Sequence, residues 1–293
     1  MFTDAGSSLT EHDAQKLGIG IIPFRISFGL KEYTDFNLSP SEFYSMVDSE
    51  NPPKTAAPNP SDFIESYRLL YQKGVKKIAS IHLGSVNSST YQSAVTASNS
   101  EELKTDCPDL IVIPIDSSAI SLAMLHKIKI AQKMITDGFS LQDIETKIID
   151  KKLNNDIVLL GAGGRYSFDH LIKSGRVTGG IDKLKARVAS TLGLVPIIRM
   201  NLNGGIELYD KVHGEKRGRT TLIDYFMNEI KKRGMPNEIS IAYTQDKEVG
   251  EDLKDKFIKM ISPRRVVVDE LRETGTGIGC HFGKRATLIA GFW

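Results

Sequence analysis

Two apolar runs set the terms for the fold: "KIASIHL" at residues 77–83 and "LIVIPI" at 110–115. Each is too short to be a buried helix and too apolar for a strand with one wet face, so each reads as a parallel strand covered on both sides. Parallel strands need crossover connections, and the flanking sequence supplies helices. "LSPSEFYSMV" has Ser39 as N-cap, Pro40 at the first helical position and Glu42 closing a capping box. "NPSD" from Asn59 to Asp62 opens a second helix whose Phe63, Tyr67 and Leu70 share a face, and Ile120, Met124, Ile128, Ala131 and Ile135 form a third stripe. Residues 18–28, "GIGIIPFRISF", are strand-like.

The character changes after "DIVLL" at 156–160. "LVPIIRMNLNGGIELYDKV" reads as two antiparallel strands turning at Asn203-Gly204-Gly205. A long helix from about Glu215 to Arg233, a strand "EISIAY", a helix through Leu253, Phe257 and Met260, and strands "RRVVVDE" and "TGIGCHF" follow. With 293 residues, more than one core usually holds, the expectation is two domains. These are an N-terminal, mainly parallel α/β domain over residues 1–155 and a C-terminal α+β domain over 156–293.

Composition narrows the function classes. A net charge of +2 does not favour a nucleic-acid partner. Cys107 and Cys280 have neither the number nor the spacing of a disulfide framework or zinc site, and read as free thiols in a reducing cytoplasm. No apolar run reaches the roughly 18 residues needed to span a bilayer, and the N-terminus carries no basic or apolar leader. A cytoplasmic location is expected.

Ligands of parallel sheets sit beyond the carboxyl ends of the strands. Three loops fit: "TDAGSS" (3–8), "LGSVNSST" (83–90) and "IDSS" (115–118). Between Ser85 and Ser93 six of nine residues carry a hydroxyl, more than a polar loop requires. Ser88 lies near the start of a helix-compatible segment, where it either caps the helix or, with backbone N–H groups, receives an anion. Asp4 and Asp116 either end strands or serve as reactive groups. "GAGGRY" fails the dinucleotide fingerprint at Tyr166, and "TGIGCHFGKR" fails the phosphate loop at Ile278 and Arg285. The six histidines show no metal-binding spacing. His281, singled out at the end of "GIGCH", reads as structural or ligand-facing. No Gly-x-Ser-x-Gly elbow occurs, so a hydrolase or phosphoryl-transfer enzyme using Asp4, Asp116 or Ser88 stands as the alternative.

Taken together, "TDAGSSL", "IIPFRISFG", "YTDF", "PPKTAAPNPSDF", "SVNSSTYQSA", "IDSS", "IKSGRVTGG", "LGLVPII" and "GIGCHFG" resemble, in order and spacing, the DegV family of bacterial fatty-acid-binding proteins. The resemblance implies two α/β-type domains clasping one long-chain fatty acid in the cleft between them, its tail in an apolar tunnel and its carboxylate held by hydroxyls. It implies a non-catalytic protein with no cofactor beyond that lipid, which presents the acid to the catalytic subunit of a fatty acid kinase, with transient membrane contact. Carried over motif by motif, the ligand residues are Thr55, Ser88, Arg176 and His281, with Arg176 at the headgroup, on a docking surface or an exposed structural arginine.

The chain departs from the family pattern in several places. Ala56 and Ala57 stand where the family has Ser and Gln, Ser89 replaces a glycine and so joins the site, and Lys284-Arg285 adds two charges near the cleft. The first strand, with only Met1 and Phe2 before Thr-Asp, reads as truncated or divergent. "GEKRGR" (214–219) puts positive charge at a helix start, against the dipole, and reads either as a solvated charged face or as a partner or phosphate contact.

Overall fold

The computed structural model describes residues 1–47, 52–164, 171, 177–178, 193–261 and 268–293. Its strands, in chain order, are β1 (Phe2–Asp4), β2 (Gly20–Ile22), β3 (Arg25–Phe28), β4 (Lys31–Thr34), β5 (Lys54–Ala56), β6 (Lys77–His82), β7 (Ile111–Asp116), β8 (Ile157–Ala162), β9 (Val177–Thr178), β10 (Leu194–Met200), β11 (Ile206–His213), β12 (Glu238–Tyr243), β13 (Val268–Glu273) and β14 (Thr287–Phe292). They form a parallel four-stranded sheet β2-β1-β6-β7, a small antiparallel sheet β4-β3-β5, and a mixed seven-stranded sheet β13-β12-β14-β8-β10-β11-β9.

The helix starts follow from local chemistry. Ser39 caps Pro40–Met46 with Glu42 closing the box, and Asn59 caps Pro60–Gln72 with Asp62 closing it. Phe63 and Tyr67 on the second of these are fully buried, and Phe2 packs edge-on against both rings.

The parallel sheet corrects one expectation. β6 is buried from Ile78 onward, but β7 is an edge strand with Ile111 half exposed and only Ile115 sealed. An apolar run reports β propensity without reporting whether both faces are covered. Pro114, which has no N–H to give a neighbour, is tolerated at such an edge.

Ser121–Thr136 is the helix between the two larger sheets. Met124, Ile128 and Ala131 lie in one apolar cluster with Ile81 and Ile115 from the parallel sheet and Leu159, Leu288 and Phe292 from the seven-stranded one. Ile135, expected on the same stripe, is 41% exposed because the helix overruns the core. The hairpin at 201–205 forms as expected: β10 and β11 pair antiparallel, with Asn201 Oδ1 accepting from the N–H groups of Asn203 and Gly205. Gly204, at φ +81°, brings its backbone against Ser118, an approach that no side chain would allow.

The segment "TGIGCHF" is helical, Thr276–Phe282, where a strand was expected. Ile278, Cys280 and Phe282 alternate with smaller or polar residues and so imitate a period of two. Packing overrides that pattern: Gly277 and Gly279 let the helix lie against Phe24, Phe43 and Tyr44, with no space for a Cβ at either position. In the helix Lys247–Ile261, Leu253 and Phe257 are buried but Met260 is 48% exposed, and Ile261 takes the inward place. "RRVVVDE" is strand from Val268 on, and residues 264–267 lie outside the described residues.

Candidate functional site

The three loops singled out above leave the same end of the parallel sheet. Register pairs His82 with Asp116 and Thr3 with Ile81, so β1, β6 and β7 finish at one level. There Asp116 accepts from the N–H groups of Ser85 and Ser118, Gly84 donates to Ala119 O at 3.0 Å, and Ser8 and Ser121 share a hydroxyl bond of 2.9 Å. The hairpin of the seven-stranded sheet closes over this end, with Asn87 Nδ2 donating to Gly204 O at 2.7 Å.

Within the hydroxyl-rich loop the roles divide. The helix Thr90–Ser98 begins one residue later than expected, with Ser89 as N-cap, exposed and making no capping bond through its side chain. Half-buried Ser88 does the local work, accepting from the Thr90 N–H at 3.3 Å and sharing a 2.7 Å bond with the Thr90 hydroxyl.

Thr55 and His281, 226 residues apart, meet. Thr55 stands on β5 opposite Ile26, and His281 on the short helix that Gly277 and Gly279 seat against Phe24, Phe43 and Tyr44. Thr55 Oγ1 and His281 Nε2 are 3.0 Å apart, both side chains half-buried. The hydroxyl donates if Nδ1 carries the ring proton and accepts if Nε2 does. Either way a hydroxyl and an imidazole face one seam, a pairing suited to holding a carboxylate without a permanent ion pair.

Arg176 lies outside the described residues. Arg285, one of the two charges expected near the cleft, is ion-paired with Glu215 at 2.9 Å and with Asp246. The same Glu215 supplies an acidic residue to the first turn of Glu215–Arg233, and Arg219 is buried against Asp252, so "GEKRGR" is partly compensated within the fold.

A polar chain inside the core escaped the reading of the sequence. Tyr67 hydroxyl and Ser80 Oγ are 2.8 Å apart, Ser80 Oγ and His82 Nε2 2.7 Å, and His82 Nδ1 and Asp4 Oδ2 3.0 Å. Asp4 also accepts from the N–H groups of Leu83 and Gly6. With Asp4 an acceptor, His82 donates through Nδ1 and accepts from the Ser80 hydroxyl at Nε2, and Ser80 accepts from Tyr67. The order Ser-His-Asp is that of a hydrolase, yet Ser80, His82 and Asp4 are fully buried and every bond is spoken for. Asp4, a reactive group in the enzyme reading, is thereby a structural anchor. The signal in the sequence was two polar residues, Ser80 and His82, at strand spacing inside an apolar run.

Lys127 is a second buried polar centre. Its Nζ donates to Ser117 O at 2.6 Å, Ile148 O at 2.8 Å and Asn154 Oδ1, and burial pushes its pKa down to about 8. Asn154 in turn donates to Leu202 O in the hairpin. Cys107 and Cys280 are both buried, and neither is in a disulfide. Among the described residues no cluster of His, Cys, Asp or Glu is arranged to hold a metal, and no helix is long and apolar enough to cross a membrane.

The family model described as "Uncharacterised protein, DegV family" matches residues 1–291. A DegV domain-containing protein of Clostridium perfringens is 30% identical over 240 residues, covering 80% of each chain. Among solved structures, a stearic-acid-binding protein from Eubacterium ventriosum superposes with a TM-score of 0.84 at 21% identity, covering 99% of this chain and 97% of its own. DegV of Bacillus subtilis, a fatty acid binding protein, gives 0.77 at 21% identity over 100% and 98%. The chain belongs to the DegV family.

Proposed function

We propose that this protein binds one long-chain fatty acid and presents its carboxylate to a kinase subunit for phosphorylation. In this reading residues 1–155 and 156–293 form two domains, and the acid lies between them. Thr55, His281 and Ser88 receive the headgroup, Arg176 and Ser89 stand near it, and the tail fills an apolar tunnel.

The observation that carries the reading is the 3.0 Å Thr55–His281 pair, made by two segments that resemble the family's headgroup motifs. Support also comes from relatives of the same fold, one solved with heptadecanoic acid and another named for stearic acid. Physical chemistry divides the labour. Tail burial contributes roughly 0.8 kcal/mol per methylene, on the order of 10 kcal/mol gross for sixteen carbons, before the cost of immobilising the ligand. Hydroxyls supply the hydrogen bonds that a carboxylate loses on leaving water. The tail therefore sets affinity and the hydroxyls set orientation.

Protein purified from a bacterial host should release fatty acid on solvent extraction, seen by mass spectrometry. Replacing Thr55 and Ser88 together with alanine should reduce kinase-dependent phosphorylation more than it reduces tail retention. Repeated lipid-free preparations that also fail to take up added palmitate would overturn the reading.

A further inference from the structure

The helix that carries His281 rests on a buried carboxyl. Asp35 is 9% exposed, and its Oδ1 accepts from the Phe24 N–H at 2.9 Å. Its Oδ2 has no hydrogen-bond partner among the described residues and points at the first turn of Thr276–Phe282. A methyl group on Gly277 would lie 3.2 Å from that oxygen and 2.8 Å from the Phe24 ring. Glycine at 277 thus lets the helix settle directly on the carboxyl, and four residues on, His281 meets Thr55.

We propose that Asp35, in its neutral form, is the positioning residue for the Thr55–His281 headgroup pair, and that its ionisation unseats the helix and releases the bound carboxylate. This rests on the fatty-acid reading above. A neutral carboxyl tolerates one oxygen without a donor, but a carboxylate there must recruit water. The space for that water is occupied by the first turn at Gly277, so solvating Oδ2 requires the helix to move. Burial, with the nearby charge of Asp4 adding to it, pushes the Asp35 pKa up to about 8.

The titratable and charged groups around Asp35 come from several elements; from the helix Pro40–Met46 it is Tyr44, whose buried hydroxyl lies against Gly279 with no hydrogen-bond partner among the described residues. From β1 the facing charge is Asp4, bonded to Gly6, Leu83 and His82. From the short helix the titratable residues are Cys280, in the cluster with Ile26, Phe43 and Tyr44, and His281, bonded to Thr55. From the Phe24 segment Arg25 turns away to Asp62 at 2.8 Å.

The test compares palmitate binding by the wild type and Asp35→Asn from pH 6.5 to 9.5, alongside the imidazole NMR signals of His281 in both. Ionisation of palmitate and of His281 is common to the two proteins, so the ratio of their dissociation constants isolates Asp35. The expected result is a wild-type affinity that falls at least about fivefold, relative to Asp35→Asn, above pH 8. A His281 signal inflecting in the same range only in the wild type is expected with it. Binding profiles that stay parallel would overturn the role of Asp35 and leave the fatty-acid reading standing. Absence of binding by both proteins at every pH would overturn the fatty-acid reading, and the His281 signal would then decide the Asp35 contact alone. If Asp35→Asn fails to fold, the wild-type His281 signal decides, and a signal without an alkaline inflection overturns the proposal.

Discussion

Two hydroxyl–imidazole pairs among the described residues are of nearly equal length, and their surroundings give them opposite meanings. Ser80–His82, at 2.7 Å, is sealed in the core between Tyr67 and Asp4, while Thr55–His281, at 3.0 Å, lies half-buried at a seam between β5 and a short helix. The first has a nucleophile, a base and an acid in catalytic order with no surface to meet a substrate. The second lies where it can meet a ligand. Access and position, more than the identity of the paired groups, separate a structural element from a candidate site.

That contrast is most directly broken at His82. His82→Ala would leave Asp4 and Ser80 buried without their shared partner, a loss of about 3–5 kcal/mol in unfolding free energy. Urea denaturation measures it. Palmitate affinity of the protein that remains folded should be unchanged, and a stability loss under about 1 kcal/mol would mean that the polar chain does not hold the core.

Lys127 extends the closed side of the comparison to a cation. Lys127→Met strands three carbonyl acceptors and should cost about 2 kcal/mol at neutral pH. The pH dependence has a fixed sign. In the unfolded chain the amine keeps its proton up to the ordinary value near 10.5, but in the folded protein it releases it near 8. Between these values the unfolded state binds more protons, so wild-type stability should rise with pH relative to Lys127→Met. Denaturant midpoints for the two proteins at pH 7.5 and 10 test this, and a falling difference would contradict the burial argument.

The open side is tested by Thr55→Val, which keeps the shape and removes the hydroxyl. Palmitate should bind about tenfold more weakly, equivalent to about 1.4 kcal/mol, while the thermal midpoint moves little. Hexadecanol, which carries no carboxylate, should lose much less. Equal losses for acid and alcohol in calorimetric titrations would place Thr55 along the tail instead of at the headgroup.

How much of this was legible in the sequence follows the range of the interactions. Ser39, Glu42, Asn59 and Asp62 act within three residues of each other, so their capping boxes could be read directly, as could the turn at Asn203-Gly204-Gly205. β7 and the helix 276–282 were misread because exposure of one face, or the pressure of Phe24 and Tyr44 against two glycines, is set by residues far away in the chain. The same limit applies to the site. Family motifs pointed separately to Thr55 and His281, but their contact spans 226 residues. Ser80 and His82 pair locally at strand spacing, but Tyr67, Asp4 and the partners of Lys127 come from distant parts of the chain, so no local pattern announces those contacts.

A third histidine pair is partly exposed, unlike the core pair, and gives the finest test. His126 Nδ1 lies 3.2 Å from Glu238 Oε2, Lys129 Nζ 2.9 Å from Oε1, and the His126 ring stacks on Phe292 at 3.8 Å. The pair bridges the helix 121–136 and β12, with side chains 18% and 22% exposed where His82 and Asp4 are at 0%. Hydrogen bonds from His126 and Lys129, with the Lys129 charge, hold the Glu238 pKa down to about 2. Because the folded value lies below the ordinary 4.5, the contribution is complete above that pH and is lost as pH falls towards 2. Water screens the pair, so Glu238→Gln should cost only about 1 kcal/mol at pH 7. The difference from wild type should vanish near pH 2. If burial grades these histidine pairs, this loss must fall well below that of His82→Ala when both are measured by urea unfolding. A loss as large as the core variant's would show that the link between helix and sheet, not enclosure, decides what such a pair contributes.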